Sequence, residues 1–454
     1  MMVALVLRGT RRPHGSETYM AYFVGVLVMV AGLLLSIALH EVGHMVPAKK
    51  FGVRVSQYMV GFGPTLWSRT KGETEYGVKA IPLGGYVRLV GMYPTPDAVG
   101  NPPVRNWFGR VAQDAREASS EEIRPGEDHR AFYRLSTPKK LVVMLGGPVM
   151  NLVIATVLLG VILVGFGVPT ATSTVAAVTP CVPAAGSQDC TSTDPKSPAA
   201  AAGLESGDVI TSFDGVAVDS WTQLSGLIRS SGGDTVQVVV ERGGAEQTLT
   251  VNPVQVERPI LDANGAAVVA ADGTARTEPV GYLGIGPEFA LQRQPVSAIP
   301  AAVGQGVVGT AAVVLALPAR VVDVAQSAFG TQARSQNSII GPVGIGRIAG
   351  EVAADGGGDF GLTGQVLTML SLLASLNIAL FVFNLIPLLP LDGGHVAGAL
   401  WEGARRQVAK VRGLPRPRPV DIARMMPLAY GVFILLTGVG VLLIYADIVR
   451  PVTL

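Results

Sequence analysis

Charge is scarce in this 454-residue chain: Asp, Glu, Lys and Arg make up only 15% of it. Soluble chains carry roughly a quarter. A hydrophobic share of 49% accompanies that deficit and excludes intrinsic disorder. Cysteine is rarer still, and two residues rule out a disulfide scaffold or a four-cysteine zinc site. Five histidines confine any metal centre to few ligands. A net charge of +2 supplies no global basic field, so no nucleic-acid partner is expected.

Long apolar runs are abundant. Four of them, 19–46, 141–168, 362–391 and 425–445, exceed the roughly 20 residues needed to cross a bilayer. A fifth stretch, 296–319, is uncharged but rich in Gly and Ala and contains Gln305 and Pro318. It reads as an amphipathic or surface-lying segment on the outer side. The charges between the runs segregate. Residues 49–140 hold 15 Lys/Arg against 9 Asp/Glu, 170–361 hold 9 against 18, and 393–427 hold 7 against 2. The positive-inside rule places the basic segments in the cytoplasm and the acidic middle outside, with most weight on the short 393–427 loop. The N-terminus is then outside, in conflict with Arg8, Arg11 and Arg12; translation from near Met20 would remove the conflict. Cys181 and Cys190, both in the outer segment, are expected to form a disulfide closing a small loop.

The first run ends in His40-Glu41-Val42-Gly43-His44. Residues four apart share a helix face, so both imidazoles reach one zinc ion. Glu41 is placed to take a proton from the metal-bound water. An ionisable triplet in an apolar run is costly and usually functional. A catalytic zinc needs a third protein ligand. His14 and His129 lie in polar segments, and His395 sits beside a better candidate, Asp392, the lone acid between Asp359 and Glu402. Pro387 and Pro390 break the helix before it. Asn384 is a candidate for stabilising an oxyanion or holding the substrate backbone, and equally for an interhelical hydrogen bond. Asn377 reads as the latter. The pairing of Asp392 with the histidines requires the first and third runs to point the same way. That holds only if 296–319 does not cross, which gives four spans.

Residues 75–92, with Tyr, Val and Ile punctuated by Gly, read as short strands and turns. Gly84, Gly85, Tyr86 and Val87 are candidate substrate-binding residues, since an unpaired strand there would hold a peptide extended by β-addition. A structural hairpin packing on helix ends is the plainer reading. Residues 94–131 are polar and read as a mobile cytoplasmic loop. Strand, turn and helix signals between 197 and 251 mark a compact outer domain, with a hairpin turn at Gly243-Gly244.

These motifs resemble the bacterial site-2 protease family of intramembrane zinc metalloproteases, and in particular its single-PDZ actinobacterial branch. The resemblance covers nearly the whole chain after Met20. It rests on His40-Glu41-x-x-His44, Gly147-Pro-Val-Met-Asn151, Asn384 with Pro387 and Pro390, and Leu391-Asp392-Gly393. It implies zinc on His40, His44 and Asp392, Glu41 as general base, substrate contact along 85–92, and a PDZ domain at about 197–288 closed by Gly281-Tyr-Leu-Gly-Ile285. Better-studied relatives carry two PDZ domains and a tighter Pro-x-Pro; one domain and Pro387-Leu-Leu-Pro390 stand here.

The fold expected is therefore a polytopic α-helical membrane protein with four transmembrane helices (19–48, 140–169, 362–392 and 425–447). A 1–18 extension precedes them. A membrane-associated β-hairpin and loop (49–139) and a basic loop (393–424) lie in the cytoplasm. An α+β PDZ segment (170–290) and an amphipathic segment (291–361) lie outside. The function expected is zinc-dependent cleavage, within the bilayer, of single-pass membrane proteins already trimmed by an upstream site-1-type protease. The resemblance suggests anti-sigma factors or remnant signal peptides as substrates. Two rivals are a membrane-anchored PDZ adaptor without catalysis and a zinc peptidase acting on soluble peptides outside.

Overall fold

A computed structural model describes residues 16–101, 103–104, 106–182, 190–191, 194–260, 268, 275–330, 334 and 338–452. Arg8, Arg11, Arg12 and His14 lie outside the described residues. The chain forms two compact units: Leu163–Gln294, and the segments on either side of it.

In the larger unit, α1 (Ser16–Lys50) has 35 residues, about 50 Å at 1.5 Å per residue. β1 (Val55–Lys71) and β2 (Thr74–Leu89) follow, and each pairs twice. Thr74–Lys79 pairs with 65–71 on one side and with 57–60 on the other, and 57–60 pairs in turn with 85–88. Four short strands result, in the order 65–71, 74–79, 57–60, 85–89, with the last at the edge. The 94–131 stretch, expected as a mobile loop, instead contains α2 (Pro96–Val99) and α3 (Trp107–Glu121). Two links explain its order. Arg116 grips Asp421 at 3.1 and 2.8 Å, and Ser119 exchanges hydrogen bonds with the Tyr93 main chain.

α4 (Thr137–Gly160) runs antiparallel to α1, with Pro138 in its first turn. The two helices meet through Gly43 and Gly146, where a Cβ on either would collide with the other's carbonyl. Small residues let the backbones approach this closely.

The smaller unit starts where α4 gives way to a π-helical stretch (Val161–Phe166) and then to β3 (Val168–Val178). That strand was hidden in the sequence because its first residues prolong the apolar run. Next come α5 (Pro198–Ala202), β4 (Val209–Phe213), β5 (Val216–Ala217) and α6 (Trp221–Ser230). β6 (Val236–Arg242), β7 (Ala245–Val251), β8 (Val254–Pro259), β9 (Thr277–Tyr282) and β10 (Ile285–Gln292) complete it. The main sheet has the order β10-β3-β4-β6-β7, with β5 paired to β4, and β8 and β9 form a separate hairpin. Val236, Val238 and Val240 alternate inward with period two and pack on Ile210, Phe213 and Leu224. Cys181 and Cys190 are joined, as compartment logic anticipated.

Arg242 holds the buried Asp208 through two 2.7 Å bonds. That guanidinium keeps the Asp208 carboxyl below its ordinary range. The unfolded chain therefore takes up this proton at higher pH than the folded one does. The pair's stabilisation is present near neutrality and is lost as pH falls through the folded value. Hydrogen-exchange protection of β4 and β6 should hold from pH 7 down to about pH 4 in the wild type and drop as the pH falls further, through the lowered folded value. In Arg242→Gln it should already be reduced at pH 7 and fall less on acidification. An equal acid response in both proteins would refute the linkage.

The chain then returns to the larger unit through α7 (Ala298–Leu315) and α8 (Leu317–Phe329). α7 is not the amphipathic helix expected: its polar residues, Gln305 and Thr310, form no polar face, and no residue of it is buried. Its start lies near Gly160, and Gly306 faces Ile378. α8 ends with Val324 and Ala328 packed on Ala446. α9 (Pro342–Ala354) packs beside Tyr22 and Gly25. α10 (Gly361–Asn384) runs parallel to α1, with Leu373 at Gly32 and Asn377 bonded to Ser36 Oγ at 2.9 Å. Asn377 thus makes the interhelical hydrogen bond expected of it. α11 (Asp392–Val411) and α12 (Met426–Val449) complete the chain. Among the described residues, five helices are long and apolar enough to cross a membrane: α1, α4, α7, α10 and α12, some with short extensions.

Candidate metal centre

α1 presents His40 and His44 towards α4 one turn apart. Gly147 of α4 lies directly beneath both rings, where any side chain would occupy their place. His44 Nδ1 donates to the Val143 carbonyl at 2.8 Å, which leaves its Nε2 lone pair free. His40 Nδ1 lies 3.1 Å from the side-chain amide of Asn151. Asn151 is fully buried, and its Oδ1 has no partner. Turning the amide end for end lets Oδ1 accept from the imidazole N–H. Both Nε2 atoms then direct lone pairs at one point.

The third donor arrives from the start of α11, just beyond α10. The sequence placed Asp392 at the end of that apolar run, but α10 stops at Asn384 and Asp392 opens α11. Pro387 and Pro390 prevent a continuous helix and turn the chain back to the site. A buried ion pair, Lys140 to Glu402 at 2.9 Å, ties α11 to α4, and Arg406 also contacts Glu402. Nothing in the sequence pattern singled out this pair.

Asp392 Oδ2 lies 3.4 Å from His40 Nε2 and 3.3 Å from His44 Nε2, and the two Nε2 atoms are 3.2 Å apart. Three electron-rich atoms at this spacing repel one another unless a cation sits among them. A tetrahedral zinc ion with bonds of about 2.0–2.1 Å sets its donors roughly 3.3 Å apart. Asp392 Oδ2 is also buried without a hydrogen-bond partner. The donor set fits zinc, with a fourth position open.

Glu41 is buried next to the histidines, and the Val87 backbone amide donates to its carboxylate. Gly85 passes close to its Cγ, where an added Cβ would stand 3.3 Å away. Tyr58, the cross-strand partner of Val87, donates to the Ala38 carbonyl at 2.8 Å. Burial pushes its phenol up to about 12, so it stays a donor. Of the four β-loop candidates, Gly85 and Val87 border the site. Tyr86 instead stacks on Phe62, and a Cβ on Gly84 would run into that ring. Asn384 is half-buried at the end of α10, and its side chain makes no hydrogen bond among the described residues. His395 is buried in α11 against Tyr93, and His129 bonds only the nearby Gly126 carbonyl; neither joins the donor triangle.

Asn151 is the residue whose role the sequence did not reveal, although it stood in a recognised motif. It orients a ligand through the ligand's other nitrogen. Loss of such a partner typically costs 10–100-fold in metal affinity. Asn151→Ala should therefore weaken zinc binding by about 10–100-fold, measured by competition with a chromogenic chelator. Unchanged affinity would show that His40 needs no such support.

Two histidines on one helix, a carboxylate from another and a buried glutamate beside them define a zinc metallopeptidase. Residues 28–416 match Peptidase family M50, and the chain belongs to that family, the site-2 protease group of zinc metalloproteases. It is similar to the zinc metalloprotease Rip1 of Mycobacterium tuberculosis, at 35% identity over 96% of this chain and 100% of the relative. The Rip1 of Mycolicibacterium smegmatis is 31% identical over 96% and 100%. The metalloprotease MmpA of Caulobacter vibrioides is 29% identical over 85% and 89%. The protein is a zinc metalloendopeptidase with multiple apolar helices, and the adaptor reading without catalysis falls.

Proposed function

We propose that the protein cleaves single-pass membrane proteins within the bilayer, near the cytoplasmic face. The observation that carries this reading is the position of the donor triangle: His40 and His44 lie within α1, an apolar helix of membrane length, and Asp392 follows the matching end of the parallel helix α10, another such helix.

α1, α4, α10 and α12 are read as the four spans. α7 and α8 are read as one unit that enters and leaves on the outer side. Its start lies at the far end of α4 and its finish at the far end of α12, so it does not reverse α10. The basic 393–427 loop then marks the cytoplasmic side. The 163–294 unit lies outside and is read as a PDZ domain, with a groove of about 280 Å³ between α6 and the Gly281–Ile285 turn suited to a peptide end.

His40, His44 and Asp392 would hold the zinc ion, which would supply Lewis-acid activation of water and of the scissile carbonyl. Glu41 takes the proton from the attacking water and returns it to the leaving amine. The Val87 amide fixes the carboxylate for this exchange. The edge strand 85–89 aligns the unwound substrate by β-addition, which exposes carbonyls that a helix would conceal. Asn384, its amide unengaged, is the proposed donor to the developing oxyanion. An upstream protease that removes the substrate's outer domain, with anti-sigma factors or remnant signal peptides as substrates, completes the proposal.

The test uses the full chain in lipid nanodiscs with transmembrane peptides and water-soluble peptides that share the flanking sequence. Mass spectrometry should place the cut inside the apolar stretch of the former and leave the latter intact. Preferential cutting of the soluble peptides would establish the rival reading.

A further inference from the structure

A cavity of about 540 Å³ opens beside the edge strand, on the hairpin side of the larger unit. Val87 and Leu89 of the strand form one wall, and Val111, Ala115 and Ala118 of α3 form the other. Met426 and Tyr430, at the start of α12, close a third side. Val87 belongs to both places: its amide holds Glu41 and its residue lines the cavity. Val87 therefore links the groove to the catalytic site along one strand. α3, absent from any expectation drawn from sequence, is what turns an open strand edge into a walled channel.

Two acids and one base border the groove. Glu122 is engaged by Arg88. Asp114 is exposed and forms no ion pair among the described residues. The channel thus presents apolar walls and one uncompensated negative charge.

We infer that this groove is a specificity subsite that takes the cytoplasmic flank of the substrate's span in extended form, with a Lys or Arg of that flank paired to Asp114. The inference rests on the proposed intramembrane cleavage and its sidedness. Two arguments select this occupant. A peptide laid on strand 85–89 and continued out of the site has the groove as its walled path. The positive-inside rule also places Lys and Arg in that part of a single-pass protein. Asp114 then reads a feature shared by many membrane proteins, and the pair favours correctly oriented substrates over reversed ones.

The experiment compares two transmembrane peptides with identical apolar spans, one flanked on the cytoplasmic side by Lys-Lys and the other by Glu-Glu. Both are cleaved by the full-length wild type and by Asp114→Lys, in neutral-lipid nanodiscs at low and high salt. The wild type should prefer the Lys-flanked peptide by about 2- to 5-fold in kcat/KM, the range one exposed ion pair provides, carried in KM. Asp114→Lys should reverse that preference with kcat unchanged, and high salt should shrink both effects. A merely structural role would lower kcat/KM equally for the two peptides, and that outcome overturns the inference. Equal cleavage of both peptides by both proteins also overturns it, while leaving intramembrane cleavage standing. If the wild type cuts neither peptide, the proposed function falls, and this inference with it.

Discussion

Glu41→Gln should abolish peptide-bond cleavage while leaving zinc in place. Glu41 is not one of the three donors; it stands beside them, with its carboxylate held by the Val87 amide. Glutamine has nearly the same shape and keeps an oxygen for that amide, so the α1–β2 contact survives. It cannot accept a proton from water. Losing a positioned general base typically costs 10²–10⁴-fold, and in the proposed mechanism the same group serves both proton transfers. A fall in kcat of about 10³- to 10⁴-fold is expected, with KM for a transmembrane peptide little changed. Metal content, measured by inductively coupled plasma mass spectrometry, should match the wild type. If the variant keeps zinc and also keeps cutting, the proton must travel by another route. If it loses zinc, Glu41 supports the metal and its assignment as base fails.

The donor triangle was legible in the sequence because its parts carry cost. His40, Glu41 and His44 stand in an apolar run, and Asp392 is the lone acid across a long stretch, so each demands a partner. The strand signals around Tyr86 and Val87 were legible for a local reason, alternation broken by glycine. The partners were harder to see. Asn151 resembles any buried polar residue until the fold brings it to His40. Lys140 and Glu402 are 262 positions apart and become a buried pair only through tertiary packing. The 107–121 helix was missed because its polar composition resembles a loop. Its order comes from Arg116 and Ser119, which reach segments the sequence could not place beside them. Residues 296–319 read as amphipathic or surface-lying because a crossing there would reverse 362–391, yet α7 has no polar face. A pair of helices entering and leaving on one side satisfies the same parity.

Gly147→Ala tests the geometry of the centre without touching a ligand. Gly147 lies in α4, a helix, where alanine is intrinsically favoured by about 1 kcal/mol. Substitution would therefore be neutral or stabilising if the position were open. It is not open: the added methyl would stand within van der Waals radii of both His44 Nε2 and His40 Nε2. The rings cannot simply swing aside, because His44 is anchored by the Val143 carbonyl and His40 by Asn151. Either the rings leave those anchors or α1 and α4 separate. Separation would undo the adjoining close approach of the backbones at Gly43 and Gly146. The donors consequently lose the spacing of 3.2–3.4 Å that suits zinc. Zinc should be absent from purified Gly147→Ala, and cleavage should fall below detection, with the helical circular dichroism retained. Gly309→Ala is the control: it lies in α7 with nothing within 4 Å of an added Cβ, and it should keep both zinc and activity. A fully zinc-loaded, active Gly147→Ala would mean that α4 does not press on the histidines as described, and that the donor triangle forms without it.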